Sequence, residues 1–439
     1  VPTSEKSVAN PRSTRYAQGR AMKRLRLNLK SEIRNPSSER RPKPEPRRLA
    51  GRVRGVLSNA RPKLDSAFGF LSELGFRISD FGMKANWLLP AAGVLGLAWS
   101  LASVGAATAA DAPGVPGLLG PAFHLIAEND MVVRTDRHYT HGTKLTLLGS
   151  EVAVAREQPG FHFPAWLADR TPDFGAQPYA ARLGVSLVQS IYTPTDIAVA
   201  ALQPNDRPYA GVFYASMLLQ KRGATRGGTE LLDTWRLDLG VIGPESQAEE
   251  AQNTVHSVRD LGLANGWGNQ LKTEAALAVR FQRTWRWAGG AADGWAWDFL
   301  PAAGVSLGNI GTHAVLGGQV RAGWGLPGDF GVQTIDAIPV PNVGRTSAAT
   351  ARRGFYAFAG VEGRAVAYSA FLDGNLWRAS HHVSKFPLVG DAKFGLVYSG
   401  KRFDVTFAQV IRSKEFVGQR EIDAYGSLAL SVKWDRPAR

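Results

Sequence analysis

From about Ala110 to the C-terminus, segments of eight to twelve residues recur in which apolar side chains alternate with polar or small ones. In the last of them Leu428, Leu430, Val432 and Trp434 face one way and Ser427, Ala429, Ser431 and Lys433 the other. A period of two is that of a strand, whose side chains point alternately to its two faces. Similar segments are Phe123 to Ala127, Lys144 to Leu148, Ala181 to Val188, Val212 to Leu219, Trp235 to Val241 and Ala275 to Trp287. Trp297 to Leu307, Gly317 to Trp324, Phe355 to Val361, Ala392 to Tyr398 and Phe403 to Val410 continue the series.

Alternation alone does not separate a soluble sheet from a membrane wall. Charge does: Arg236 with Asp238, and Glu362 with Arg364, lie two residues apart on the polar face, opposite apolar faces such as Trp235, Leu237, Leu239 and Val241. A polar interior and an apolar exterior are the pattern of a transmembrane barrel. After Ala110 the one uncharged run that reaches the roughly 20 residues a membrane helix needs, Phe299 to Val320, is broken by Pro301 and five glycines. Twelve tryptophans, several near strand ends, suit an interfacial girdle. The expected fold is therefore all-β, a transmembrane antiparallel β-barrel over residues 111–439.

One stretch breaks the rhythm. Ser246-Gln247-Ala248-Glu249 has the form of a capping box, and Ala248, Ala251, Val255 and Val258 recur at helical spacing up to Gly262, a suitable stop. The spacing predicts a short amphipathic helix in a loop, with Gln252 and His256 projecting from one face at i, i+4.

The first 110 residues follow other rules. The formal net charge is +15, and residues 1–82 carry 19 Lys and Arg against 7 Asp and Glu, in Pro- and Ser-rich sequence that builds no core. From Met83-Lys84 the composition switches to 26 uncharged residues, Ala85 to Ala110. Their apolar bulk, Trp87 to Leu101, comes first, and small residues including Ala107-Thr108-Ala109 follow, which is the layout of a cleavable signal peptide rather than of an anchor. The expectation is a signal peptide over 83–110 beginning at Met83, with 1–82 disordered or untranslated because a start was assigned too far upstream. A cytoplasmic nucleic-acid-binding tail ahead of a membrane anchor is the alternative. The body carries no nucleic-acid signature, so nucleic acid is not an expected partner. The chain has no cysteine, which excludes disulfides, thiolate metal sites and cysteine nucleophiles.

Candidate chemistry gathers at two places. Glu128-Asn129-Asp130 follows the first strand and Tyr139-Thr140-His141-Gly142 comes soon after; Gln252 and His256 sit on the predicted helix. With Asn205-Asp206-Arg207-Pro208-Tyr209-Ala210-Gly211, Gly240 to Pro244, Gln252-Asn253-Thr254-Val255-His256 and Gly266-Trp267-Gly268-Asn269-Gln270-Leu271, this sequence resembles the outer-membrane lipid A deacylases, which remove the 3′-linked acyloxyacyl chain. Phe371-Leu372-Asp373-Gly374-Asn375 and Pro387 to Asp391 are similar too, so the likeness runs from about Phe123 to Trp434.

That resemblance implies a barrel of roughly twelve strands in the Gram-negative outer membrane, lipid A or lipopolysaccharide as substrate, and a site between the outer wall and the loop helix. It implies Ca2+ as cofactor, His256 as the base that activates water, and Asn129, Asp130, Thr140 and Gln252 as further site residues. Asp130 is the preferred calcium ligand, orientation of His256 being its alternative role. Two positions depart from the family pattern: a glutamate six residues beyond the base is replaced by Gly262, with Asp260 the nearest acid, and Thr193 to Pro204 lacks the basic residues of the corresponding loop. A non-catalytic pore or structural barrel, and a phospholipase barrel, are the competing functions. Two motifs read as decoys: Gly304-Val305-Ser306-Leu307-Gly308 lies in a strand pattern rather than at a nucleophile elbow, and His138 and His141 read as exposed loop histidines.

Overall fold

A computed structural model describes residues 117–130, 138–154, 163–291, 294–335 and 353–435. The segments expected to be a basic tail and a signal peptide lie outside these residues. Thirteen strands are present: β1 (Ala122–Asn129), β2 (His138–Leu148), β3 (Val152–Ala153), β4 (Gln177–Thr193), β5 (Ala210–Ala224), β6 (Glu230–Ile242) and β7 (Glu274–Gly290). The remainder are β8 (Trp295–Gly308), β9 (Gly311–Trp324), β10 (Gly354–Ser369), β11 (Leu388–Ser399), β12 (Phe403–Arg412) and β13 (Asp423–Lys433). Three helices interrupt them, α1 (Phe163–Ala168), α2 (Ala248–Val258) and α3 (Ala370–Asp373).

Each strand from β4 to β13 pairs antiparallel with its successor, β13 pairs with β1, β1 with β2 and β2 with β4. The ring is closed by twelve strands, with the two-residue β3 an appendage on β4. Closure removes every sheet edge, which is what allows a sheet to cross hydrocarbon. Trp434, just past β13, donates its backbone N–H to the Pro121 carbonyl at the seam (3.0 Å).

The outside is an apolar band that includes Leu239, Leu277, Val279, Leu316, Val320, Val361, Phe394 and Phe407, all exposed. Below it Trp287, Trp295, Trp297, Trp324, Phe355, Tyr398 and Phe403 form an aromatic girdle near one rim. That rim carries the short turns 225–229 and 400–402, the mark of the periplasmic side, so the rim bearing the α2 loop (243–273) is extracellular.

The lumen is filled. Arg236 pairs with Asp238 as the alternation predicted (2.9 Å). Arg364 does not pair with Glu362 but reaches diagonally to Asp391, which stands opposite Glu362 on the neighbouring strand (3.1 Å), a span within reach of a long side chain. After β9 the chain turns back into the barrel: Gln319 on β9 bonds Val332 in both directions (2.6 and 3.0 Å), and Ile335 donates its N–H to Glu128 near the top of β1 (2.7 Å). Arg321 clamps this segment at its base, between Asp298 (2.6 Å) and Asp329. Ser306 is buried in β8 with its hydroxyl given to the Gly311 carbonyl (2.8 Å), consistent with a strand serine.

Candidate active site

Strand alternation sorts the acidic and amide cluster at the top of β1. Glu128 turns into the lumen, where it accepts from the Tyr139 hydroxyl (2.8 Å) and from Ile335. Phe123, Leu125 and Ala127 share an outward apolar cluster with Leu145 and Leu430, so Asn129 falls on the outward face. Asp130 follows it and is buried. Across the β1–β2 ladder Asn129 stands opposite His141, and His141 in turn opposite Ile191 on β4. Between them the β2–β4 register slips at Thr140, a bulge, and such an extra residue re-aims its side chain. The Thr140 hydroxyl lies 2.8 Å from that of Thr193, with both residues buried.

His138 and His141 are not exposed loop residues. Both lie in β2 and are buried. His138, held at a positive φ of 63°, has Nδ1 at 2.6 Å from Asp423 and Nε2 at 3.1 Å from the Thr195 hydroxyl, so it ties together the start of β13 and the 194–209 loop. His141 Nε2 lies 2.8 Å from the Thr143 hydroxyl. The sequence missed this because β2 extends further than its alternating core, Lys144 to Leu148.

The helix α2 is seated on the outside of this wall. Ala248 and Ala251 pack with Ile191, Tyr209, Ala264 and Trp267, and Gln189 of β4 donates to the Ser246 carbonyl (2.8 Å). Gly211 on β5 permits the close approach, since a Cβ there would stand 2.3 Å from the Ala248 Cβ. The expected capping box does not form. Ser246 belongs to a preceding 3-10 turn (Pro244–Ser246) and donates to the Gly243 carbonyl (2.6 Å), while Gln247 takes the cap position at φ 56° without a side-chain cap. The helix stops at Val258, short of Gly262. Its buried face is also rotated from the expected stripe: Ala248, Ala251, Gln252 and His256 are buried, whereas Val258 is exposed.

The Gln/His pair is thus turned inward, and both side chains are fixed. Trp267 Nε1 donates to Gln252 Oε1 (3.0 Å), leaving the buried Gln252 Nε2 without an acceptor among the described residues. His256 Nδ1 lies 2.6 Å from the Gly262 carbonyl. A carbonyl only accepts, so Nδ1 carries the proton and Nε2 the lone pair. Asn253 holds the returning chain by accepting from the Ala264 N–H (3.0 Å). This arrangement offers a base and, one helical turn away, an amide donor.

Asn129, Thr140 and the Ile191–Thr193 end of β4 are therefore neighbours by register, and α2 with Gln252 and His256 packs against Ile191. Trp267, Thr193 and the Gly262 carbonyl are site groups that sequence reasoning did not single out. Trp267 lay within a quoted stretch without a role, and a backbone carbonyl leaves no sequence signal. Among the described residues no group of three or more His, Asp or Glu gathers as for a metal. The donors offered at the wall are hard oxygens, the Asp130 carboxylate, the Asn129 amide and the Thr140 hydroxyl, which suit calcium better than a transition metal.

A closed barrel with an apolar band, a charged and filled lumen and polar groups buried under a helix on its outer wall defines an outer-membrane protein whose candidate chemistry faces the lipid rather than the channel. The family model for outer membrane protein LpxR matches residues 95–434, and the chain belongs to that family. The solved structure of LpxR from Salmonella typhimurium is 16% identical, with 71% of this chain and 100% of that one covered at a TM-score of 0.54. A looser likeness, to the beta domain of the Bordetella autotransporter BrkA, has 9% identity, 72% and 100% coverage and a TM-score of 0.37. No curated protein matches the chain significantly.

Proposed function

We propose that this protein hydrolyses the ester of the 3′-linked acyloxyacyl chain of lipid A in the outer membrane, with His256 as general base. The observation that carries this reading is the His256 imidazole, buried on the wall-facing side of α2 with its proton fixed on Nδ1 by Gly262. Nε2 takes a proton from water as the oxygen attacks the ester carbonyl, and returns it to the sugar oxygen as the bond breaks. The products are a free hydroxyl on the sugar and the released carboxylic acid. Gln252 Nε2, a buried amide donor without an acceptor among the described residues, is suited to the oxygen on which charge develops. Asp130, Asn129 and Thr140 would hold calcium, and the ion when bound supplies Lewis-acid stabilisation of that oxygen. Val199, Leu202, Val258 and Leu263, exposed on α2 and on the loops stitched to it, give the site an apolar margin suited to acyl chains.

A phospholipase would share this chemistry and differ in its lipid. The pore alternative is disfavoured by the 328–335 segment, which occupies the lumen. Incubating the purified barrel with lipid A in detergent tests the proposal. Release of the acyloxyacyl acid is expected with Ca2+ and not in the presence of a chelator; release of glycerophospholipid acyl chains instead would move the assignment to a phospholipase.

A further inference from the structure

Five guanidinium groups crowd the extracellular half of the lumen, and among the described residues they share their carboxylate partners. Asp238 is shared by Arg236 (2.9 Å) and Arg280 (2.8 Å), Asp391 by Arg364 (3.1 Å) and Arg412 (2.9 Å), and Glu415 by Arg207 (3.2 Å) and Arg412 (3.7 Å). Glu362, the next inward residue on β10, lines a neighbouring cavity with Lys393.

Arg207, Arg280, Arg364 and Arg412 all line one cavity of about 80 Å3, together with Glu415 and with Phe371 and Phe386 of the 370–387 loop. Arg207 is only 1% exposed, and its Nε–H is buried without an acceptor among the described residues; the Arg364 Nε–H is in the same condition. An unmet guanidinium donor in a water-poor interior is costly until an acceptor reaches it. The space exceeds the roughly 30 Å3 that a water takes up in the liquid. A cation is opposed by the four guanidinium groups, and an acyl chain by the polarity of the lining. Planar guanidinium groups match the geometry of phosphate oxygens two at a time.

We propose that this cavity is an oxyanion site that takes a phosphate group, presented by a lipid headgroup or as the free ion. It is separate from the α2 site, which lies on the other side of the barrel wall, and does not depend on the deacylase reading. Equilibrium dialysis of the full barrel in lipopolysaccharide-free detergent against radiolabelled inorganic phosphate, at fixed ionic strength, tests it. About one phosphate per barrel is expected, with binding weakened at least tenfold in Arg207→Gln and Arg364→Gln and unchanged in Lys401→Gln, which removes the same charge from a periplasmic turn. The heat-modifiable gel shift reports folding, and either lumen variant suffices if the other does not fold. In vesicles bearing a phosphomonoester headgroup, displacement of the bound ion assigns the site to lipid; retention assigns it to free phosphate. A wild-type barrel that binds no phosphate at millimolar concentration, or binding equal in both variants and wild type, would overturn the proposal.

Discussion

At Gly262, where the family pattern has a glutamate, the side chain is absent but the carbonyl stands 2.6 Å from His256 Nδ1. The backbone thus supplies the acceptor that fixes the imidazole. A methyl group at this position would meet nothing within 4 Å. Gly262→Ala is therefore expected to keep most of the hydrolytic rate, whereas His256→Ala loses on the order of 10²-fold or more, the usual worth of a positioned base. Initial rates of acid release compare the two, and a Gly262→Ala enzyme as dead as His256→Ala would remove the carbonyl from its assigned role. At this scale the sequence was partly legible. Gln252 and His256 stood out because side chains at i, i+4 share a helix face; the Gly262 carbonyl, the Trp267 bond to Gln252 and the Thr140–Thr193 contact arise only when distant segments meet.

The helix that carries the pair is positioned by a glycine. Gly211 lies under Ser246 and Ala248, and a branched side chain there would push the start of α2 off the wall. Gly211→Val is expected to leave the barrel folded, with its normal heat-modifiable shift, while lowering activity at least tenfold by displacing Gln252 and His256 together. Activity retained in a folded Gly211→Val barrel would show that the seat of α2 does not matter. Helical spacing revealed the element but not its orientation. Val255 and Val258 looked like its core face, yet Val258 is exposed because α2 lies beside a lipid-facing wall, where apolar groups need not turn inward. The capping box failed for a related reason: Ser246 is recruited by Gly243 to close the 3-10 turn that sets the entry angle of the helix. The bulge at Thr140 was equally invisible, since a bulge is a property of a pair of strands.

Over the whole molecule, strand alternation anticipated the barrel well, because a wall between lipid and a polar lumen imposes a period of two on every strand. All twelve ring strands contain one of the alternating segments, and they run beyond them at the rims, where neither face is constrained by hydrocarbon. The inward segment 328–335 had no such signature, as its Gly- and Asp-containing sequence reads as a loop. It fills the barrel through Arg321, Gln319 and Glu128. In planar bilayers the protein is accordingly expected to show no steady conductance, and deletion of 328–335 to raise conductance; an open wild-type channel would restore the pore reading.

The α2 histidine is tied to lipid A by the proposed hydrolysis, and mass spectrometry of lipid A tests that link directly. Lipid A from a host expressing the protein should lose the mass of one acyloxyacyl unit, while a host expressing His256→Ala at equal outer-membrane level keeps its original mass. Unchanged lipid A with the wild-type protein folded in the outer membrane, or an equal loss with His256→Ala, would contradict it.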